Sequence, residues 1–539
     1  MKLIWAFVAL LWSLNVEAIE FINCGCVVNG DGTVPACGVT PGGVGAKNTA
    51  VTTVSASTEY SYVSQTTCTL ASTSITVNQN AVTISAYGAG AKPIIVGNAA
   101  SYALTVTTSN GFDISRIDWR NGTTGAVNLS ATTTGGTFSD NDITTNVVGL
   151  VISAAGAANI TGRGNTTQCT GAASICWNIT TNGGGIVFRD SVNILTATDK
   201  TSTSLIGIRL SGLATGLYNF DVFGGNLGVE IRAGVSSTNH TVSNGEYSGQ
   251  LVAGVRIRDS SFNRVAYNWL HDIDNLVAYP SGQGNAIDLI DPGAACSANW
   301  IVGNRFNAVY QGIVDQCDNG SGGGNFFIGN LGWDYRVDGI SYQATVGMGY
   351  ILNNTMLHSP RSLVGHAIAI QHLSATMMTA YVANNLCVNL LVGDNVQCVS
   401  LPNSANTGPI YLNNNNWFAG VSGAHLAKLD TVSPDCAVGS TPSFCNYDTL
   451  AAWQTALGGD ADTTGDEANS LSITPGWRRN TPSNPADFCL DPASGIIAAG
   501  AYLGDYVLGV GGEHFPNPPP MGARGLCQGR ASTSARTAR

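Results

Sequence analysis

Between residues 149 and 371 the chain repeats one short phrase nine times, and this run constrains the fold more than any other feature. The copies are Gly149-Leu-Val-Ile152, Gly185-Ile-Val-Phe188, Gly207-Ile-Arg-Leu210, Gly228-Val-Glu-Ile231, Gly254-Val-Arg-Ile257, Ala286-Ile-Asp-Leu289, Gly312-Ile-Val-Asp315, Gly339-Ile-Ser-Tyr342 and Ala367-Ile-Ala-Ile370. Their first large apolar residues are spaced by 36, 22, 21, 26, 32, 26, 27 and 28 positions. An irregular period in the twenties, with one short strand per copy, is the signature of a solenoid. Alternation within each copy sends its first and third apolar residues to one face and the middle residue to the other. Stacking one coil per copy at about 4.8 Å then gives a parallel β-helix with an apolar interior.

A second series keeps similar spacing: Val265-Ala-Tyr-Asn268, Ile301-Val-Gly-Asn304, Phe327-Ile-Gly-Asn330, Ile351-Leu-Asn-Asn354, Val382-Ala-Asn-Asn385 and Leu412-Asn-Asn-Asn415. Asn tolerates left-handed backbone angles, and its amide can bond to amides above and below. Stacked Asn at a tight corner between two strands is therefore expected. Loose Asn-rich loops would not place each Asn three residues after an apolar one.

Other features bound the function. A net charge of −11 argues against a nucleic-acid partner, since nothing would neutralise phosphates. Lys2, the apolar run Leu3 to Leu14 and Val16-Glu17-Ala18 read as a signal peptide over 1–18, and no later stretch is long enough to span a membrane. A secreted, extracellular or periplasmic monomer is expected. The 14 cysteines suit an oxidising compartment. Neighbour pairing joins Cys169 to Cys176, Cys296 to Cys317, Cys387 to Cys398, Cys436 to Cys445 and Cys489 to Cys527, leaving Cys24, Cys26, Cys37 and Cys68 near the N-terminus. A zinc site at Cys24-Gly-Cys26 is the competing reading, without a second close pair to complete it. Asn-x-Ser/Thr triplets at Asn121, Asn128, Asn159, Asn165, Asn178 and Asn239 are acceptable glycan sites, but chance explains them in a chain this rich in Asn and Thr.

Residues 19–75 are expected to form an N-terminal cap, 76–425 the β-helix, 426–528 a closing segment with a short helix near Tyr447–Asp460, and 529–539 a disordered tail. Val82-Thr-Ile-Ser-Ala-Tyr-Gly-Ala-Gly-Ala-Lys-Pro-Ile-Ile-Val96 resembles the opening coil of secreted right-handed parallel β-helix proteins, the pectate lyase-like group that includes pectate, alginate and chondroitin lyases. The order Asp487-Phe-Cys-Leu-Asp-Pro-Ala-Ser-Gly-Ile-Ile-Ala-Ala-Gly500, then Met521-Gly-Ala-Arg524, is similar to that group's closing segment. Here Ser494-Gly495 replaces its usual Ser-Pro, and Met521-Gly522-Ala523 its usual Asp-Ile-Gly-Ala. The resemblance implies an all-β, single-stranded right-handed parallel β-helix and a polysaccharide lyase or glycoside hydrolase. The mannuronan epimerase and polygalacturonase signatures of the wider group are absent.

The outward residues of the nine copies are Val151, Val187, Arg209, Glu230, Arg256, Asp288, Val314, Ser341 and Ala369. Two positions further on lie Ser153, Asp190 or a neighbour, Ser211, Arg232, Arg258, Ile290, Gln316, Gln343 and Gln371. Charges gather on four successive coils of a chain with only 11% charged residues. Arg209, Arg232 and Arg258, with Gln316 and Gln343, suit the carboxylates or sulfates of an acidic polysaccharide. Glu230 and Asp288 flank Arg256 at about 9–10 Å by strand spacing, near the roughly 6.5–9.5 Å of an inverting glycosidase pair. For a lyase, an Arg would neutralise a uronate while a base, an Arg, His271, Tyr279 or His358, removes the proton.

The alternating signs also fit a salt-bridge ladder that only fixes strand register. A non-catalytic glycan-binding surface protein or adhesin is the alternative function. Asn285, Gln311, Asp338 and His366 form a second polar row at the strand starts, read as turn-formers. No cofactor is certain. Calcium is conceivable at Asp291, Asp315 and Asp318, or at Asp460, Asp462, Asp466 and Glu467, the latter more simply a solvated acidic loop.

Overall fold

The computed structural model describes residues 18–107, 111–130, 135–154, 159–170, 175–195, 205–232, 238–273, 284–290, 296–317, 324–343, 348–358, 365–370, 378–393, 395–401, 407–429, 445–458 and parts of 463–503 and 520–522. It divides into two units, Met1–Thr198 and Asp199–Arg539. Each is an all-β parallel solenoid of the right-handed type, with three strands per coil feeding three sheets. One coil of the first unit runs Phe112–Ser115, Asp118–Arg120 and Gly125–Leu129; one of the second runs Arg264–Ala266, Trp269–Ile273 and Asn285–Ile290. These strands belong to the first, second and third sheets. Every strand partner within a solenoid wall is parallel, and Ala427–Leu429 ends the third sheet by pairing antiparallel with Cys445–Tyr447.

Eight of the nine sequence copies lie in the third sheet. The exception is Gly185-Ile-Val-Phe188, whose strand Ile186–Arg189 belongs to the first sheet and pairs with Ile160–Arg163. The strand Ile175–Thr181, with Trp177 opposite Leu150, takes its place in the third sheet. The long and short steps that begin the series have this origin. Val187 therefore leaves the outward stripe, and Asp190 sits at a corner with φ 49°.

The corners between the first and second sheets explain the Asn series. The left-handed residue is the one before each Asn: Tyr267 (φ 59°), Gly303 (63°), Gly329 (64°), Asn353 (56°), Asn384 (58°) and Asn414 (57°). The Asn itself turns inward and is fully buried. Asn268 donates its backbone N–H (3.1 Å) and Nδ2 (3.0 Å) to Asn304 Oδ1, and the pattern repeats through Asn330, Asn354, Asn385 and Asn415. A second, shorter ladder runs at the corner between the third and first sheets, through Asn263, Asn299 and Asn325.

Both ladders point their N–H groups toward the C-terminal coils, so each needs an acceptor where it stops, because an orphaned buried donor is costly. Each stops at a buried carboxylate. Asn325 Nδ2 donates to Asp315 Oδ2 at 3.0 Å, and the Cys317 N–H donates to Oδ1 at 3.1 Å. Asn415 Nδ2 donates to Glu467, which also accepts from Trp417 Nε1 at 2.5 Å and from the Ser470 hydroxyl. Asp315 thus occupies an inward apolar position as a ladder terminus. Burial, only partly offset by its two donors, pushes its carboxyl up to about 7.

A group raised in this way stabilises the fold fully below its unfolded value near 3.8 and loses that contribution as pH rises to about 7. Chemical unfolding of wild type and Asp315→Asn across this window should show the loss in wild type and its absence in the variant. Buried His240 and His358, held down to about 4 and about 3 by desolvation, act in the opposite sense and are common to both proteins.

The closing segment packs on unit two's outer walls. The helix Leu450–Gly458 buries Trp453 and Leu457. Trp477, Phe488, Leu490, Ile496 and Met521 cover Leu331, Trp333, Leu357, Leu386 and Val388 of the second sheet. On the first sheet, Trp300, Phe326 and Tyr350 stack with centroids 4.4 and 4.6 Å apart, as do Tyr381 and Tyr411 at 4.2 Å, and Leu503 packs against this group.

Disulfides join Cys24 to Cys68, Cys26 to Cys37, Cys169 to Cys176, Cys296 to Cys317 and Cys387 to Cys398. The zinc reading of Cys24 and Cys26 is thereby removed. Cys445 and Cys489 are also disulfide-bonded, while Cys436 and Cys527 lie outside the described residues.

Candidate functional site

The third sheet holds the charged residues in register. Arg209 lies opposite Glu230, Glu230 opposite Arg256, and Arg256 opposite Asp288; Val314, Ser341 and Ala369 continue the row. Their positions follow from alternation, since Val229, Ile231, Val255, Ile257, Ile287 and Leu289 point inward and are fully buried. One stripe thus gathers residues 79 positions apart in the chain, from Arg209 to Asp288.

Within the stripe the charges form two discrete pairs. Arg209 Nε donates to Glu230 Oε2 at 2.7 Å. Arg256 donates through Nε (2.9 Å) and Nη2 (2.7 Å) to Asp288 Oδ2. Both carboxylates are nearly covered, with side chains 4% exposed, while Arg209 and Arg256 keep 23% and 19%. Cations therefore face outward over anions set deeper in the wall. By strand spacing Glu230 and Asp288 stand about 9–10 Å apart, with Arg256 between them.

The parallel row two residues on is unlike the first. Arg232 lies opposite Arg258, and Arg258 opposite Ile290. Like charges side by side on neighbouring strands are unfavourable. Arg258 Nε is 3.6 Å from Asp259 Oδ2, beyond hydrogen-bond distance, and among the described residues no carboxylate pairs with Arg232. The row continues as Gln316, which donates to Gln343 Oε1 at 2.8 Å, and Gln343 donates to the Ser341 hydroxyl at 2.8 Å.

Other sequence candidates lie elsewhere. His358 is fully buried and sits 4.9 Å from the Tyr335 ring, inside the coil rather than on the wall. His271 is on the second sheet. Asp338 and His366 are buried and Gln311 is half-buried: Asp338 Oδ1 accepts the His366 N–H at 2.9 Å and lies 3.1 Å from its Nδ1, and Gln311 donates to Oδ2. Asp338 thus accepts a backbone amide as a turn-former does, and its hydrogen bond with the His366 side chain holds its carboxyl below the usual range despite burial.

Tyr279, Gln371, Asp291, Asp318, Asp460, Asp462 and Asp466 lie outside the described residues. Glu467 is a buried ladder terminus rather than part of a solvated loop. Among the described residues no three His, Cys, Asp or Glu side chains converge as a metal site, and no helix is long and apolar enough to cross a membrane.

The fold and this stripe define the class: a parallel β-helix with a charged wall. No family model matches the sequence, and no curated protein matches it. Among solved structures the chain is similar to a GH136 lacto-N-biosidase from Eubacterium ramulus, at 12% identity and a TM-score of 0.35, covering 70% of this chain and 69% of that one. It is also similar to the Dettilon tailspike protein, at 13% identity and a TM-score of 0.32, covering 69% of this chain and 61% of that one.

Proposed function

We propose that this is a secreted carbohydrate-active β-helix protein that acts on an acidic polysaccharide lying along the third sheet. The observation that carries this is the Arg232–Arg258 pair. Two guanidiniums side by side, of which only Arg258 has a described carboxylate within ion-pair distance, Asp259 at 3.6 Å, are suited to a carboxylate or sulfate of the ligand, which each binds through planar, charge-assisted hydrogen bonds. Gln316 and Gln343 extend the same row with neutral hydrogen-bonding groups for sugar hydroxyls. The disulfides, five of them between described residues, agree with an extracellular setting.

Cleavage would use the neighbouring row. In a hydrolase, one of Glu230 and Asp288 protonates the leaving oxygen and the other activates water, their strand spacing of about 9–10 Å lying near the upper end of the range for an inverting pair. In a lyase, Arg256 stabilises the carboxylate of the uronate while a neighbouring Arg, as base, takes the C5 proton and the C4–oxygen bond breaks to release the leaving chain and leave a C4–C5 double bond. A second reading, glycan binding without cleavage, is favoured by the depth and ion pairing of both carboxylates.

Incubation with uronate and sulfated polymers separates these. New ultraviolet absorbance from unsaturated ends marks a lyase, new reducing ends without it a hydrolase, and retention alone a binding protein. Where cleavage is seen, Glu230→Gln and Asp288→Asn should each lower the rate by about 10²–10⁴-fold. Unchanged rates would remove both residues from the catalytic assignment.

A further inference from the structure

The second sheet carries a group of side chains that the charged wall does not use, on strands Glu246–Ser248, Trp269–Ile273 and Arg305–Val309. Register places Glu246, Trp269 and Arg305 in one outward row, and His271 beside Asn307 in the next. The residues hold one another in place. His271 Nε2 is 3.0 Å from Glu246 Oε1 and its Nδ1 is 2.7 Å from Asp272 Oδ2. Trp269 Nε1 donates to Asn307 Oδ1 at 3.1 Å, and its ring lies on the His271 ring with centroids 4.2 Å apart. Trp269, Arg305 and Asn307 are each partly exposed, and Asp272 is mostly so.

This pattern is not a metal site, because the two carboxylates flank opposite edges of one imidazole and do not converge. It is not a continuation of the core either. Further along the sheet, Trp333 is buried to 5% by the closing segment, whereas Trp269 keeps exposure and an indole fixed by a hydrogen bond. We propose that this wall is a second glycan site, for a neutral sugar chain. An aromatic body supplies the apolar surface that packs on the C–H face of a pyranose. The fixed Asn307 amide, and the Glu246 carboxylate and Arg305 guanidinium on the strands either side of Trp269, supply hydroxyl partners without rearrangement on binding. Glu246 and Asp272 offset Arg305 on this wall, so it lacks the excess of positive charge that Arg232 and Arg258 give the third sheet. The coils carrying Arg258 and Asp288 also carry this site, so one molecule would hold an acidic chain on one wall and a neutral chain on the next.

The test is titration of the full-length protein with short neutral oligosaccharides of β-linked glucose, galactose and N-acetylglucosamine, and with a uronate oligomer, following tryptophan fluorescence and heat. At least one neutral oligosaccharide is expected to bind wild type, and Trp269→Ala to weaken it about tenfold or more. Asn307→Ala, which keeps the ring, should weaken it as well and gives the same reading if Trp269→Ala fails to fold. Uronate binding is expected to be unchanged in both variants, and neutral-sugar binding to survive Arg258→Ala. Failure of every neutral oligosaccharide to bind, or undiminished binding in the folded variants, would overturn the proposal while leaving the charged wall untouched.

Discussion

Glu467→Ala is expected to lower unfolding stability by about 3–5 kcal/mol, the cost of removing one partner from a fully buried charged network. The change strands Asn415 Nδ2, Trp417 Nε1 and the Ser470 hydroxyl, all of which donate to this carboxylate in a site with 0% exposure. The closing segment should loosen with it, since Asn415 and Ser470 tie residues 52 and 3 positions from Glu467 to one point. Glu467→Gln keeps an acceptor oxygen and should cost clearly less. Denaturant unfolding of the three proteins, with protease digestion to report on the closing segment, checks the ladder-terminus role. Equal losses for Ala and Gln would mean that the carboxylate does not serve as the acceptor argued above.

The second large effect separates a stability ladder from a site. Asp288→Leu leaves the Arg256 guanidinium in the wall without its carboxylate, and should destabilise by about 2–3 kcal/mol, less than a fully buried pair because Arg256 keeps 19% exposure. Adding Arg256→Met should restore most of that loss, because two apolar side chains of similar volume need no partner. Denaturant unfolding of the two single variants and the double variant gives the coupling directly. If the pair serves only register, the restored double variant keeps whatever glycan activity wild type has. If it serves the ligand, stability returns and activity does not.

The winding and the charged stripe were legible because a β-helix converts sequence period into spatial stacking. Glu230, Arg256 and Asp288 are 26 and 32 residues apart and still neighbours, as the repeats implied. The period alone could not tell which sheet a copy joins: Gly185-Ile-Val-Phe188 has the phrase of the third sheet but lies in the first. The Asn series predicted stacked corners, yet the left-handed angle falls one residue earlier, where Tyr267 and Gly303 serve equally.

Two features were missed although their signal is in the chain. Four residues before Asn304, Asn330, Asn354, Asn385 and Asn415 stand Trp300, Phe326, Tyr350, Tyr381 and Tyr411, the stacked rings of the first sheet. The shorter Asn263–Asn299–Asn325 ladder was hidden by its few rungs, and with it the reason for a carboxylate at Asp315. Glu467 was invisible as a terminus because its partner Asn415 is brought to it by the closing segment, not by the repeat. The split of four arginines into two hydrogen-bonded to carboxylates and two adjacent ones, of which Arg258 has only a longer ion pair with Asp259, also required coordinates, since charge order along the chain does not fix which oxygen a guanidinium reaches.

The most direct measurement is the affinity of a uronate oligomer for wild type and for the Arg232→Ala/Arg258→Ala double variant, titrated at low and at high salt. Charge-assisted contacts at both guanidiniums correspond to a loss of about a hundredfold or more on removing them, and to wild-type binding that weakens as salt is raised. Binding that ignores salt, or that survives in the double variant, would contradict an acidic glycan seated on this wall.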